Sequence, residues 1–166
     1  FVENVHSFIR FYHEDHPDQK PSNNVAVFDE AQRAWNADKQ RKKFGRDISE
    51  PEMMLSIMDR HDWAVIVALV GGGQEIHDGE AGLAEWGRAL TNKYHGWHIS
   101  ASPEVLSGGI SLAGHRLFET KEAYEELNVT TEESLHLPVS IRSFKAENVS
   151  RWVEAVLKRD IAKAAE

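Results

Sequence analysis

The apolar positions of this chain switch repeatedly between helical and strand-like spacing. Near the start, Val5, Phe8, Ile9 and Tyr12 recur at intervals of three and four, which predicts an amphipathic helix over residues 2–13. The polar stretch 17–24, PDQKPSNN, reads as a loop. A continuous apolar run follows, Val25, Ala26, Val27 and Phe28, of the kind that forms a strand buried on both faces of a parallel sheet. Helical spacing returns at 50–60, where Met53, Met54, Ile57 and Met58 make a core stripe behind the capping-box pattern Ser49-Glu50-Pro51-Glu52. The run 63–70, WAVIVALV, is the strongest strand signal and reads as a buried strand.

Gly71, Gly72 and Gly73 end that strand. After the polar run 74–80, residues 81–92 predict another helix and 96–100 a short strand. The pattern weakens over 101–131, with a strand expected at 115–119 and a helix at 121–127. A strand bent at Pro138 is expected over 135–141. A last helix is expected over 147–164, with Val149, Trp152, Val153, Val156, Leu157 and Ile161 inward. Alternating strand and helix give an α/β fold with a mainly parallel sheet flanked by helices.

Composition narrows the picture. A chain of 166 residues, 41% hydrophobic and 28% charged, is long enough and apolar enough for one globular domain. It has no cysteine, so disulfides and thiolate metal sites are excluded, which agrees with a cytoplasmic location. No apolar run approaches the roughly 18 residues of a spanning helix, so no membrane partner is expected. The net charge of −8 argues against a chain-wide nucleic-acid surface. The dense basic stretch 39–46, KQRKKFGR, is either a solvated face or a local phosphate-contacting patch. The chain opens at Phe1 inside a helical pattern and is read as a fragment of a longer protein.

Three polar constellations carry candidate chemistry. Asp29 and Glu30 end the strand 25–28, where open α/β sheets bind their ligands. One carboxylate there can hold Mg²⁺ through its water shell and the other can orient an attacking water; the plainer account is a pair of solvated acids or a helix start favoured by acids. Gln32 and Arg33 put an amide and a cation beside them. In the second constellation, Gly71, Gly72 and Gly73 let backbone approach a ligand, and Gln74 can touch a γ-phosphate or the water in line with it, or else decorate a turn. In the third, Arg142 leaves the strand 135–141 and can neutralise charge on a phosphoryl group, or bridge to a surface acid. Paired histidines, His13 with His16 and His95 with His98, lack the converging ligands of a zinc site.

Acid pair, strand-Gly-Gln, strand-Arg is the order of motifs in superfamily-one helicases. FDEAQRAW, VGGGQEIHDGEAGLAEW and LPVSIRSFKAENVSRWV resemble the helicase-like P-loop NTPases of unknown function often labelled "DNA/RNA helicase domain, ATP/GTP-binding". The resemblance runs from near Phe1 to about Leu157. It implies a RecA-like P-loop NTPase sheet, incomplete at its N-terminal side, with residues 1–166 forming the part of one core domain from Walker B onward. It implies that Asp29 coordinates Mg²⁺, that Glu30 positions or deprotonates water, that Gln74 senses the γ-phosphate and that Arg142 contacts it from the other side. Gly71, Gly72, Gly73, Gln32 and Arg33 would line the nucleotide, ATP or GTP, and Gln32 and Arg33 would relay its state.

Two departures stand out. Gln74 follows three glycines, where superfamily-one helicases place Gly-Asp and two more residues, and no GxxxxGK[ST] P-loop occurs in the chain. The P-loop is expected upstream, nucleotide is not expected to bind tightly without it, and the intact protein is expected to be a Mg²⁺-dependent hydrolase acting on nucleoside triphosphate, with nucleic acid as a further partner. An unpaired sheet edge would favour self-association. The alternative is a non-catalytic interaction or regulatory module that keeps the NTPase scaffold.

Overall fold

The computed structural model describes residues 2–71, 82–109, 112, 114–120, 122–137, 152–153, 155–157 and 159–160. The chain divides into two compact units, Phe1–Leu135 and His136–Glu166.

The first unit is mixed α/β. Helix α1 (Val5–Ile9) is capped by Asn4, whose side chain accepts from the His6 amide at 2.9 Å, and it runs directly into a π-helix, Arg10–Asp15. The expected single helix thus changes pitch halfway. Arg60 fixes the wide turn by donating to the Tyr12 and Gln19 carbonyls at 2.9 and 2.7 Å. Strand β1 (Val25–Phe28) follows, then a 3-10 turn (Ala31–Arg33) and helix α2 (Ala37–Phe44), so the basic stretch is helical. Helix α3 (Glu50–Met58) starts as the sequence indicates: Ser49 accepts from the Glu52 amide at 3.4 Å and Pro51 occupies the first turn, where its missing N–H has no partner to lose.

Helix α3 is the centre of the unit. Met54, Leu55 and Met58 join a core with Ala31, Trp86, Leu90, Ile99 and Phe118, while Met53 and Ile57 pack against Ile9 in a second cluster. Burying each such side chain contributes about 1.5–3 kcal/mol, so α3 is where α1 and α4 are bound together. The methionine stripe is core, as expected.

Strand β2 (Val65–Ala68) pairs with β1 in parallel, Val25 opposite Val65 and Phe28 opposite Ala68. Helix α4 (Gly82–Asn92) and strand β3 (His98–Ala101) follow. Within the weak region the structure places a short helix α5 (Pro103–Ser107), capped by Ser102, and strand β4 (Asn128–Thr131), which pairs with β3 in parallel. Neither was legible in the sequence. The expected strand 115–119 is irregular, and the helix expected over 121–127 is reduced to a 3-10 turn, Glu122–Tyr124.

Both parallel pairs are consistent with an α/β class. Neither β1 nor β2 is buried on both faces, however. Ala26, Phe28 and Ile66 face the core, whereas Val25, Val27, Val65, Val67 and Leu69 are exposed. Among the described residues β1 and β2 pair only with each other.

In the second unit, residues 152–153 and 155–157 are helical. Ala155 is buried, but Trp152, Val153, Val156 and Leu157 are exposed rather than inward. Residues 138–141 of the expected strand lie outside the described residues. Among the described residues, no helix is long and apolar enough to cross a membrane.

Candidate functional site

The parallel ladder of β1 and β2 continues past both strands and shapes the acid turn. The Leu69 amide donates to the Phe28 carbonyl at 2.9 Å, and the Ala31 amide donates to the Leu69 carbonyl at 2.8 Å. Between those two bonds, Asp29 and Glu30 bulge out of the ladder and are both exposed. Glu30 takes the left-handed conformation, φ 54° and ψ 40°. For a residue with a Cβ this costs about 1–2 kcal/mol, a strain that persists only where surrounding bonds fix it.

Those bonds are visible. Asp29 Oδ1 accepts from the Glu30 amide at 3.0 Å, and the Arg33 amide closes the turn on the Glu30 carbonyl at 2.9 Å. Gln32 is 1% exposed, and its Nε2 donates to Glu30 Oε2 at 2.7 Å. Its other end faces the opposite way: Gln32 Oε1 accepts from the Gly71 amide at 3.2 Å. One buried amide therefore joins the acid turn to the first residue of the glycine segment. Behind the turn, the Trp86 indole N–H donates to the Ala31 carbonyl at 2.9 Å.

Five of the residues singled out by sequence are thus gathered at the C-terminal ends of β1 and β2: Asp29, Glu30, Gln32, Arg33 and Gly71. Gly72, Gly73, Gln74 and Arg142 lie outside the described residues. Among the described residues no group of three or more His, Cys, Asp or Glu could hold a metal, the histidine pairs included. Asp29 nevertheless suits Mg²⁺, which is commonly held by one or two hard carboxylates together with substrate phosphates and water rather than by an all-protein cage.

Sequence reasoning missed two features. The first is Trp86, whose partner Ala31 is 55 positions away. The usable signal was that a buried indole N–H needs an acceptor. The second is Glu50, which the sequence shows only as a member of the capping-box pattern. It is 2% exposed; its Oε2 accepts from the Trp35 amide at 2.8 Å and its Oε1 from Gln40 Nε2, also at 2.8 Å. His6 Nδ1 approaches Oε1 to 3.0 Å, an ion-pair distance without hydrogen-bond alignment. Burial pushes the Glu50 carboxyl up to about 7 against the pull of the Trp35 amide, Lys39, Gln40 and Arg46. Burial, then Arg46 and Lys39, hold His6 below its ordinary value. At neutral pH the Glu50 carboxyl is therefore about half protonated.

Much of the charge in the basic stretch is engaged internally. Lys39 lies over the Trp35 ring, Arg41 is bonded to Asp38 and Asp47, and Arg46, itself buried, pairs with Glu14.

A family model described as "Schlafen group 3, DNA/RNA helicase domain" matches residues 1–166, the whole chain. No curated protein and no solved structure matches it.

Proposed function

The chain belongs to the Schlafen group 3 DNA/RNA helicase domain family, and on that premise we propose that it is the Walker B-onward part of a RecA-like NTPase core that hydrolyses ATP or GTP once joined to its P-loop. The observation that carries the reading is the hydrogen-bond chain Glu30–Gln32–Gly71, which ties two adjacent carboxylates at a parallel strand end to the start of a glycine segment.

Each residue has a stated task. Asp29 would hold Mg²⁺, which when bound supplies charge neutralisation on the phosphate oxygens. Glu30, fixed by Gln32, orients the attacking water and accepts its proton at a carboxylate oxygen. Gly71, Gly72 and Gly73 bring backbone close to the triphosphate, and Gln74 aligns the water with the γ-phosphate. Arg142 would stabilise charge on that phosphate. Gln32 and Arg33 pass the state of the nucleotide to the basic helix α2.

Single-stranded nucleic acid is the proposed further partner of the full-length protein, in the cytoplasm. The exposed apolar face of Val25, Val27, Val65 and Val67 and the free outer edges of β1 and β2 among the described residues support self-association of the isolated domain.

Turnover of ATP and GTP by the full-length protein is the test. Glu30→Gln removes the base and keeps the shape; the expected result is a fall of about a hundredfold or more in kcat, the scale of general-base loss, with a small change in KM. Turnover at the wild-type rate by Glu30→Gln would refute the role of Glu30.

A further inference from the structure

Gly71 and Gly82, which flank positions 72–81, both lie beside the turn that follows Glu30. The Gly71 amide donates to Gln32 Oε1 at 3.2 Å. Gly82 opens α4 with φ +62°, and a Cβ added there would lie 3.9 Å from the Gln32 carbonyl oxygen. About one turn later, Trp86 reaches back to the Ala31 carbonyl with its indole N–H, at 2.9 Å. Both flanks of residues 72–81 therefore rest on the same turn, Ala31–Arg33, that follows Glu30.

That turn needs an external grip. Glu30 holds a left-handed conformation that a glutamate adopts only against a penalty. The next residue is gripped at both of its peptides: the Ala31 amide by the Leu69 carbonyl at 2.8 Å, and the Ala31 carbonyl by Trp86. Within the turn itself, only the longer bond from the Ala34 amide, 3.3 Å, reaches that carbonyl. The indole is itself fixed. Trp86 is 5% exposed, belongs to the main core with Ala89 and Leu90, and lies with its ring centroid 5.6 Å from that of Phe28 at the end of β1. A donor on a rigid, buried ring holds its acceptor in one place.

We propose that Trp86 is a positioning residue: acting through Ala31, it holds the left-handed turn at Glu30 and so sets the aim of the acid pair. The catalytic half of this inference rests on Asp29 and Glu30 being the acids of a hydrolytic site; the structural half does not. If Trp86 served only to fill the core, 3-benzothienylalanine, which keeps the shape and lacks the donor, would replace it with little consequence.

The experiment is Trp86→Phe in the full-length protein, read by amide hydrogen exchange and by steady-state turnover, with Glu30→Gln as the control. The expected result is exchange at the Ala31 amide at least about tenfold faster, with amides of α3 and β4 unchanged. A kcat about tenfold lower with KM for nucleotide nearly constant is expected alongside it, the signature of a misaimed group. Unchanged exchange at Ala31 overturns the proposal whatever the activity, and so does faster exchange with a wild-type kcat when Glu30→Gln is inactive. If Glu30→Gln keeps full turnover, the hydrolytic reading fails, and the exchange result alone decides whether Trp86 holds the turn. Should Trp86→Phe not fold, 3-benzothienylalanine at position 86, which keeps the shape and lacks the donor, is scored in the same way.

Discussion

Trp35 and Glu50 exchange two hydrogen bonds: the Trp35 amide donates to Glu50 Oε2 at 2.8 Å, and the Glu50 amide donates to the Trp35 carbonyl at 2.9 Å. The exchange pins the chain that leaves the acid turn to the first residue of α3. It does so with a carboxyl that is buried among His6, Lys39, Gln40 and Arg46 and raised from 4.5 to about 7.

That rise has a signed consequence. The folded protein binds the Glu50 proton more tightly than the unfolded chain does, so this contribution is fully present below pH 4.5 and is lost as the pH rises through about 7. Its size is about 3 kcal/mol. His6 works in the opposite sense: its lowered value gives a contribution present above 6.5 and lost as the pH falls through the folded value. Comparing wild type with Glu50→Gln cancels the His6 part. Urea unfolding from pH 4.5 to 8 is expected to show wild type losing about 3 kcal/mol relative to Glu50→Gln. A difference independent of pH would contradict the raised Glu50 carboxyl.

Gln32 links Glu30 to Gly71 from a fully buried position. Gln32→Leu keeps the volume and deletes both bonds, leaving the Gly71 amide without this acceptor. The expected cost is about 1–3 kcal/mol in urea unfolding, together with faster exchange at the Gly71 amide. Stability and exchange equal to wild type would show that the bridge contributes nothing.

Gly87 marks where α4 passes closest to the chain beside it. A Cβ there would lie 1.8 Å from the Leu117 carbonyl oxygen and 3.3 Å from Phe118 Cδ1. Backbone cannot swing aside as a side chain can, so Gly87→Ala is expected to destabilise by about 2–3 kcal/mol despite the better helix propensity of alanine. A thermal midpoint equal to or above wild type would place α4 elsewhere.

The elements that sequence exposes here are those whose signal is local. Ser49, Pro51 and the methionines of α3 specify a helix from within a dozen positions, and the structure follows them. The strand 25–28 and the acids behind it are equally local. Burial on the two faces of β1 was misjudged because a continuous apolar run does not reveal which face is covered; Val27 is 64% exposed. Strand β4, NVTT, has no apolar run at all and exists through its pairing with β3, including the contact of Thr130 Oγ1 with His98 Nε2 at 3.0 Å. In the site, Asp29 and Glu30 could be read from their place after a strand, while Trp86 and Glu50 could not, since what matters about each is a partner distant in the chain.

The central claim is that the turn holding Asp29 and Glu30 is the acidic half of a triphosphate-hydrolysing site. The most direct test is a crystal structure of the full-length protein with Mg²⁺ and a non-hydrolysable nucleoside triphosphate. The account predicts Mg²⁺ within one water of Asp29, about 4 Å away, and the γ-phosphate beside Glu30. A triphosphate bound at another face of the protein, away from Asp29 and Glu30, would contradict it.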